Sequence, residues 1–221
     1  MTSTLEMPKQ QHAAGAVVLK GISWDLYEKL LAQLEHAGQH IYLTYDRGAL
    51  EIMAPSSFHE RYKKVIGRLV EAMALELRIP IYGLGSTTFK RKDLERGLEP
   101  DECYYVQHEP QMGRKANIDL RVDPAPDLAV EMDYTHHALD RSDIYAALGV
   151  PEIWQYDGEH LRGFSRNSEG AYDAIDTSIA FPFLKLADVE RFIALAKSST
   201  QDNAVREFCD WVRQTFPRRQ P

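Results

Sequence analysis

The chain has 221 residues, 44% of them hydrophobic, and a formal net charge of −7. That length holds one α/β domain with a full core, and that composition excludes a disordered chain. An acidic chain is a poor general coat for nucleic acid, which calls for a basic field, but the balance leaves room for an enzyme with a local basic groove and a carboxylate pocket.

The N-terminal stretch "MTSTLEMPKQQHAAGA" lacks a basic-then-apolar signal pattern, and no apolar run reaches membrane-spanning length, so a cytoplasmic protein without a membrane span is expected. "SWDLYEKLLAQLE" predicts a helix capped by Ser23, with Leu26, Leu30 and Leu34 at helical spacing. "HIYLTYDRGALEIMAP" predicts two strands around a turn at Asp46-Arg47-Gly48. From Ser57 a long helix follows, with Phe58, Tyr62, Val65, Leu69, Met73 and Leu77 along one face, ended by Pro80. "IPIYGLGSTTFKR" reads as a strand bent by its glycines, and "PDECYYVQ" and "PDLAVEMDY" as two more. "HHALDRSDIYAALG" is a predicted helix closed by Gly149, and "PEIWQYD" a strand after it. A hairpin around Gly170 and a mostly helical segment from Leu186 to Phe216, broken near Ser198-Ser199, complete the chain. Cys103 and Cys209 stand outside any CxxC or Cys/His set and read as reduced structural thiols. With no repeat or long linker, the expectation is a single domain over residues 1–221. Strand, helix, strand without a local hairpin implies a right-handed crossover and a parallel pair: α/β, with a mixed sheet and helices on both faces.

The carboxylates of "PDLAVEMD" raise a chemical question. Asp127, Glu131 and Asp133 share one face of a strand. Asp127 and Glu131 lie about 13 Å apart at ~3.3 Å per residue, too far to touch one ion at ligand distances of roughly 2 Å. A neighbouring strand is only about 4.8 Å away, and Asp101 opens such a strand. Asp101 therefore pairs with Glu131, while Asp127 serves the turn after Pro126. Two converging carboxylates repel, and a divalent cation removes that cost; hard oxygen donors favour Mg²⁺ or Mn²⁺. The plain alternative, equally weighted, is that these acids cap loops or pair with arginines at the sheet edge.

The runs "GLEPDECYYV", "PDLAVEMD" and "DRSDIYAALGVPEIWQYD", with the hairpin "YLTYDRGALEIMAPSSFHE", resemble the Uma-type restriction endonuclease family of the PD-(D/E)xK nuclease superfamily over roughly residues 40 to 165. The resemblance implies a restriction-endonuclease-like core of helix, three strands, helix, strand, with an N-terminal helix and hairpin and C-terminal helices added. It makes Asp101 and Glu131 the motif acids, lets the Met132 carbonyl help hold the ion, and matches Glu60 loosely to a helical acid that reaches the metal through water. His59 beside it could orient a water or phosphate, though an ordinary helix role is preferred for it. The lysine expected two residues after Glu131 is absent: Asp133 stands there. Arg141 is the best substitute cation, with a surface salt bridge to Asp140 or Glu152 as its equal alternative. Lys90 is a second candidate.

The implied activity is Mg²⁺- or Mn²⁺-assisted phosphodiester hydrolysis. Asp101 and Glu131 hold the ion, Asp133 orients or deprotonates a water, and Arg141 or Lys90 offsets phosphate charge. The substrate is nucleic acid, DNA first. Arg61, Lys64, Arg68, Lys90, Arg91 and Lys92 outline a basic rim, and such charges equally make a solvated face. Tyr104 and Tyr105 read as packing residues, base stacking being a minor alternative. A homodimer fits cleavage of both strands. The rival function is a catalytically inactive nucleic-acid-binding or assembly module on the same fold.

Overall fold

The computed structural model describes residues 16–39, 41–54, 56–133 and 139–216, without the side chain of Phe58. Eleven strands and six helices follow in chain order: β1 (Val17–Lys20), α1 (Trp24–His36), β2 (Tyr42–Asp46), β3 (Ala49–Met53), α2 (Ser57–Leu77), β4 (Tyr82–Gly83), β5 (Phe89–Arg91), β6 (Arg96–Leu98), β7 (Glu102–Tyr105), α3 (Glu109–Met112), β8 (Leu128–Met132), α4 (Arg141–Leu148), β9 (Glu152–Tyr156), β10 (Leu161–Arg166), β11 (Tyr172–Ile175), α5 (Leu186–Ser198) and α6 (Gln201–Thr215).

The strands form two sheets: the expected central mixed sheet, and a second one that contains the expected N-terminal hairpin. A mixed six-stranded sheet has the order β11-β10-β9-β8-β7-β4, and a five-stranded sheet the order β1-β3-β2-β6-β5. Within the first, α2, β4, β7, β8, α4 and β9 reproduce the expected helix, three strands, helix, strand, and β8 pairs parallel with β9 across the α4 crossover. "IPIYGLGSTTFKR" is not one strand: β4 joins the six-stranded sheet and β5 the other, because the chain turns between them at Gly85, whose φ is +57°.

Local chemistry explains the element ends. Ser23 accepts a hydrogen bond from the Leu26 amide, Ser56 from His59 and Asp140 from Asp143, each capping a helix N-terminus. The β2–β3 turn places Arg47 and Gly48 at φ of 45° and 89°, the primed-turn conformation that twists with its strands. The helix α2 stops at Arg78, which takes the left-handed conformation before Pro80.

Alternation along the strands then divides the core. Leu128, Val130, Met132, Trp154 and Tyr156 face α2, α5 and α6, while Cys103, Ala129 and Ile153 face α4. On α4, Ile144, Tyr145 and Leu148 also meet Phe89 and Leu98, so this helix lies between the two sheets. Leu43, Tyr45 and Leu50 face α1 with Trp24 and Tyr27. Tyr42 and Thr44 therefore point the other way, toward the meeting place of the two sheets. Among the described residues no helix is long and apolar enough to cross a membrane.

Candidate active site

The site begins with register. Glu102 lies opposite Val130, Cys103 opposite Ala129 and Tyr104 opposite Leu128. One further antiparallel step sets Asp101 across from Glu131, on the face that carries Cys103 and Ala129. Asp101 is 2% exposed, and its Oδ2 accepts the Met132 amide at 2.6 Å. His59, in the first turn of α2, brings Nε2 to 3.0 Å from the same oxygen. Burial lowers the His59 pKa, but the Asp101 contact, together with Glu60 and Glu131, outweighs it and leaves the ring more basic than an ordinary histidine.

Glu131 is held from the other side. Its Oε1 accepts from Arg141 Nη2 at 2.6 Å and from the Tyr145 hydroxyl, both on α4. Arg141 also donates to Thr44 Oγ1 at 2.8 Å and to the Glu99 carbonyl at 2.7 Å. Burial works against the guanidinium charge, and the Glu131 carboxylate more than restores it. Arg141 is thus a buried counter-ion, not a surface cation. The alternative salt bridge to Asp140 or Glu152 does not form: Asp140 caps α4, and Glu152 accepts from Trp154 Nε1, Ser178 Oγ and the amides of Ile179 and Ala180.

Lys63 completes the cluster, and the sequence reading missed it. Its Nζ donates to Ser86 Oγ at 2.8 Å and to the Tyr42 hydroxyl at 3.0 Å, and lies 3.7 Å from Glu60 Oε1. Ser86 in turn donates to the Asp101 carbonyl at 3.4 Å. A buried stripe of His59, Lys63, Ile66 and Val70 runs along α2 at i+4, i+3 and i+4 spacing, and that period was the available signal; "RYKK" read instead as a solvated charge run. The strand alternation that buries Thr44 opposite Glu51 was a second unused signal.

The remaining expected residues are placed as follows. Asp133 is half-buried, donates its amide to the Tyr156 carbonyl, and lines a hollow of about 250 Å³ with Glu131, Asp140, Arg141, Ser142 and Gln155. Met132 enters through its amide on Asp101. Glu60 is partly exposed, with Oε1 3.5 Å from His59 Nδ1. Lys90 lies on β5 of the other sheet, and its ammonium pairs with Glu28 at 3.1 Å. Asp127 serves a turn as expected, accepting from the amides of Val106 and His108 and pairing with the His108 ring. The expected rim is largely self-neutralised: Arg68 pairs with Asp202, Arg91 with Asp93 and Lys92 with Asp25, while Arg61 donates to the Ala196 carbonyl. Tyr104 and Tyr105 are fully buried, which closes them to base stacking. Cys103 and Cys209 are free thiols.

The sequence that builds this arrangement matches a known family. The sequence model described as "Uma2: Putative restriction endonuclease" matches residues 24–196. The chain belongs to the Uma2 family. A solved structure similar to this Uma2-family chain is described as "a putative nuclease belonging to DUF820 from Anabaena variabilis ATCC 29413"; it is 12% identical, with a TM-score of 0.48, over 68% of this chain and 90% of that one. No curated protein matches.

Restriction-endonuclease-like proteins generally use a divalent metal, and the donors of this Uma2-family site can be tested against one. Among the described residues no three His, Cys, Asp or Glu side chains already converge as a metal set. Yet His59 Nδ1, His59 Nε2 and Glu60 Oε1 are buried without a hydrogen-bond partner, in ion-pair contacts that run from Asp101 through the His59 ring to Glu60. Buried polar atoms are rarely left so, and their clustering against a carboxylate fits a cation at this point.

Proposed function

We propose that the chain is a metal-dependent nuclease of the PD-(D/E)xK kind, with Asp101 and Glu131 as its two motif acids, hydrolysing phosphodiester bonds in nucleic acid. The observation that carries this reading is the β7–β8 register, which sets the two carboxylates opposite each other on one face at the end of adjoining strands. Asp101, Glu131 and the Met132 carbonyl would hold a Mg²⁺ or Mn²⁺ ion, with Glu60 near it. Such an ion, when bound, polarises a phosphoryl oxygen and lowers the pKa of a water. Asp133, on the wall of the adjacent hollow, would orient that water or accept its proton. Arg141 neutralises Glu131 and fixes its position, a task suited to a guanidinium that stays charged. Lys63 places a second buried cation on the Asp101 side of the cluster, joined to it through Ser86, whereas Lys90 is paired with Glu28. DNA as substrate, a homodimer offering one site to each strand and a cytoplasmic location belong to the same reading.

One observation favours the rival, a silent module on the nuclease fold: the Glu131 carboxylate is clasped by Arg141 and Tyr145. Cleavage of plasmid and single-stranded DNA in Mn²⁺, compared between the wild type and Asp101→Ala, tests the choice. Activity that disappears in Asp101→Ala supports the nuclease. Equal activity in both, or none in either, refutes it.

A further inference from the structure

We propose that His59 is itself a ligand of the divalent ion, with Glu60 as the carboxylate that orients its ring, and that this nitrogen donor makes the site select Mn²⁺ over Mg²⁺. The inference rests on the nuclease reading and sharpens its metal.

Geometry is the first support. His59 Nε2 and Asp101 Oδ2 are 3.0 Å apart as an ion-pair contact, and neither ring nitrogen has any other hydrogen-bond partner in the described structure. Two donors in neighbouring positions of an octahedron, each about 2.1–2.2 Å from the ion, stand roughly 3.0 Å apart. The spacing is that of two ligands sharing a cation. The Asp101 oxygen also holds the Met132 amide, which leaves it a second lone pair.

The second support lies on the far side of the ring. Metal-bound histidines almost always give their other N–H to a carboxylate or carbonyl. His59 Nδ1 stands 3.5 Å from Glu60 Oε1, and neither atom has a hydrogen bond in the described structure. A small rotation of the partly exposed Glu60 closes that contact. One placement of an ion thus accounts for all three orphaned atoms. A solvated histidine does not, since His59 is only 6% exposed and its ring packs against Tyr42 at 5.8 Å.

The chemistry follows from donor type. Mg²⁺ holds oxygen ligands and keeps its water, whereas imidazole suits the first-row transition ions, of which Mn²⁺ also accepts carboxylates readily.

The test is calorimetric titration of the full-length protein with MnCl₂ or MgCl₂ alone, for the wild type, His59→Asn and Asp101→Asn, with pulsed EPR of the Mn²⁺-loaded wild type. The expected result is at least tenfold tighter binding of Mn²⁺ than Mg²⁺, and a ¹⁴N coupling from a directly bound imidazole. His59→Asn should remove the coupling and weaken Mn²⁺ by ten- to a hundredfold while changing Mg²⁺ little; Asp101→Asn should weaken both. The EPR signal needs no variant, so misfolding of His59→Asn cannot mask the answer. Mn²⁺ bound through Asp101 without ¹⁴N coupling overturns the His59 assignment and leaves the metal-dependent reading standing. No binding of either ion by the wild type overturns both.

Discussion

Glu102 offers the clearest quantitative test of the buried charge around the site. It opens β7 on the α2 side, where its carboxylate and the Tyr104 hydroxyl crowd Gly67: a Cβ at position 67 would stand 3.2 Å from the hydroxyl and 3.4 Å from Glu102 Oε1. The described structure gives the carboxylate no hydrogen bond. Burial raises its pKa from 4.5 to about 7, with Lys63 opposing and Glu71 reinforcing the shift. A carboxyl whose folded pKa exceeds its unfolded value contributes stability that is full below pH 4.5 and is lost as pH rises through about 7. The interval of 7 − 4.5 = 2.5 pH units corresponds to at most about 3.4 kcal/mol, and screening by water and by the neighbouring lysines reduces that to about 1.5–2 kcal/mol. Glu102→Gln keeps the shape and cannot ionise. Urea unfolding of both proteins at pH 5, 6.5 and 8 should give nearly equal stabilities at pH 5 and a variant about 1.5–2 kcal/mol more stable at pH 8. Other titrating groups cancel in the difference. A difference that stays constant across the three pH values would refute the assignment of a buried, destabilising carboxylate.

Four further outcomes are expected. Arg141→Met takes the guanidinium counter-ion from the buried Glu131 carboxylate and should lower unfolding stability by about 3–5 kcal/mol, read as a shifted urea midpoint. Arg78→Gly relieves the left-handed cap of α2, where φ is 56°, and should raise stability by about 0.5–1 kcal/mol in thermal unfolding. Gly163→Ala drives a methyl group into Leu186 Cδ1 and within 3.1 Å of Ile175 Cγ1, for a loss of about 1–3 kcal/mol by the same measurement. In the cleavage assay, Lys63→Met should reduce the rate by at least about tenfold while Lys90→Met, whose ammonium is engaged by Glu28, stays within about twofold; the reverse order would return the catalytic cation to β5.

Much of this was legible in the sequence wherever one period dominated. The α2 stripe, the β2–β3 turn and the β8–α4–β9 crossover each follow from a strong pattern closed by Pro80, Arg47-Gly48 or Gly149. The Asp101–Glu131 pairing followed from strand spacing alone, because adjacent strands are closer than residues four apart on one strand. The strands β1 and β6 were not legible: "VVLK" and "RGL" are too short for alternation to show, and only pairing with β3 and β2 makes them strands. The strands β4 and β5 were legible only as one bent strand, because a two-residue β4 and a three-residue β5 carry no mark of which sheet each joins. Lys63 was hidden by composition, since a buried ammonium and a solvated one look alike in "RYKK" until Ser86 and Tyr42 are seen to receive it.

The position of Arg141 explains how the site is divided. A cation in the first turn of a helix opposes the helix dipole, so α4 does not itself favour the guanidinium there. What holds it is the set of acceptors brought by three other elements: Glu131 from β8, Thr44 from β2 and the Glu99 carbonyl between the two sheets. A lysine at this position offers one nitrogen and could not span all three, whereas the planar fork of arginine does. Arginine here therefore joins the five-stranded sheet to the six-stranded one at the cost of a cation free to approach substrate. The Glu131 half of the site is neutralised from within by Arg141, whereas on the Asp101 half the charges of Asp101 and Glu60 meet His59 and Lys63, and His59 and Glu60 keep buried polar atoms without hydrogen bonds.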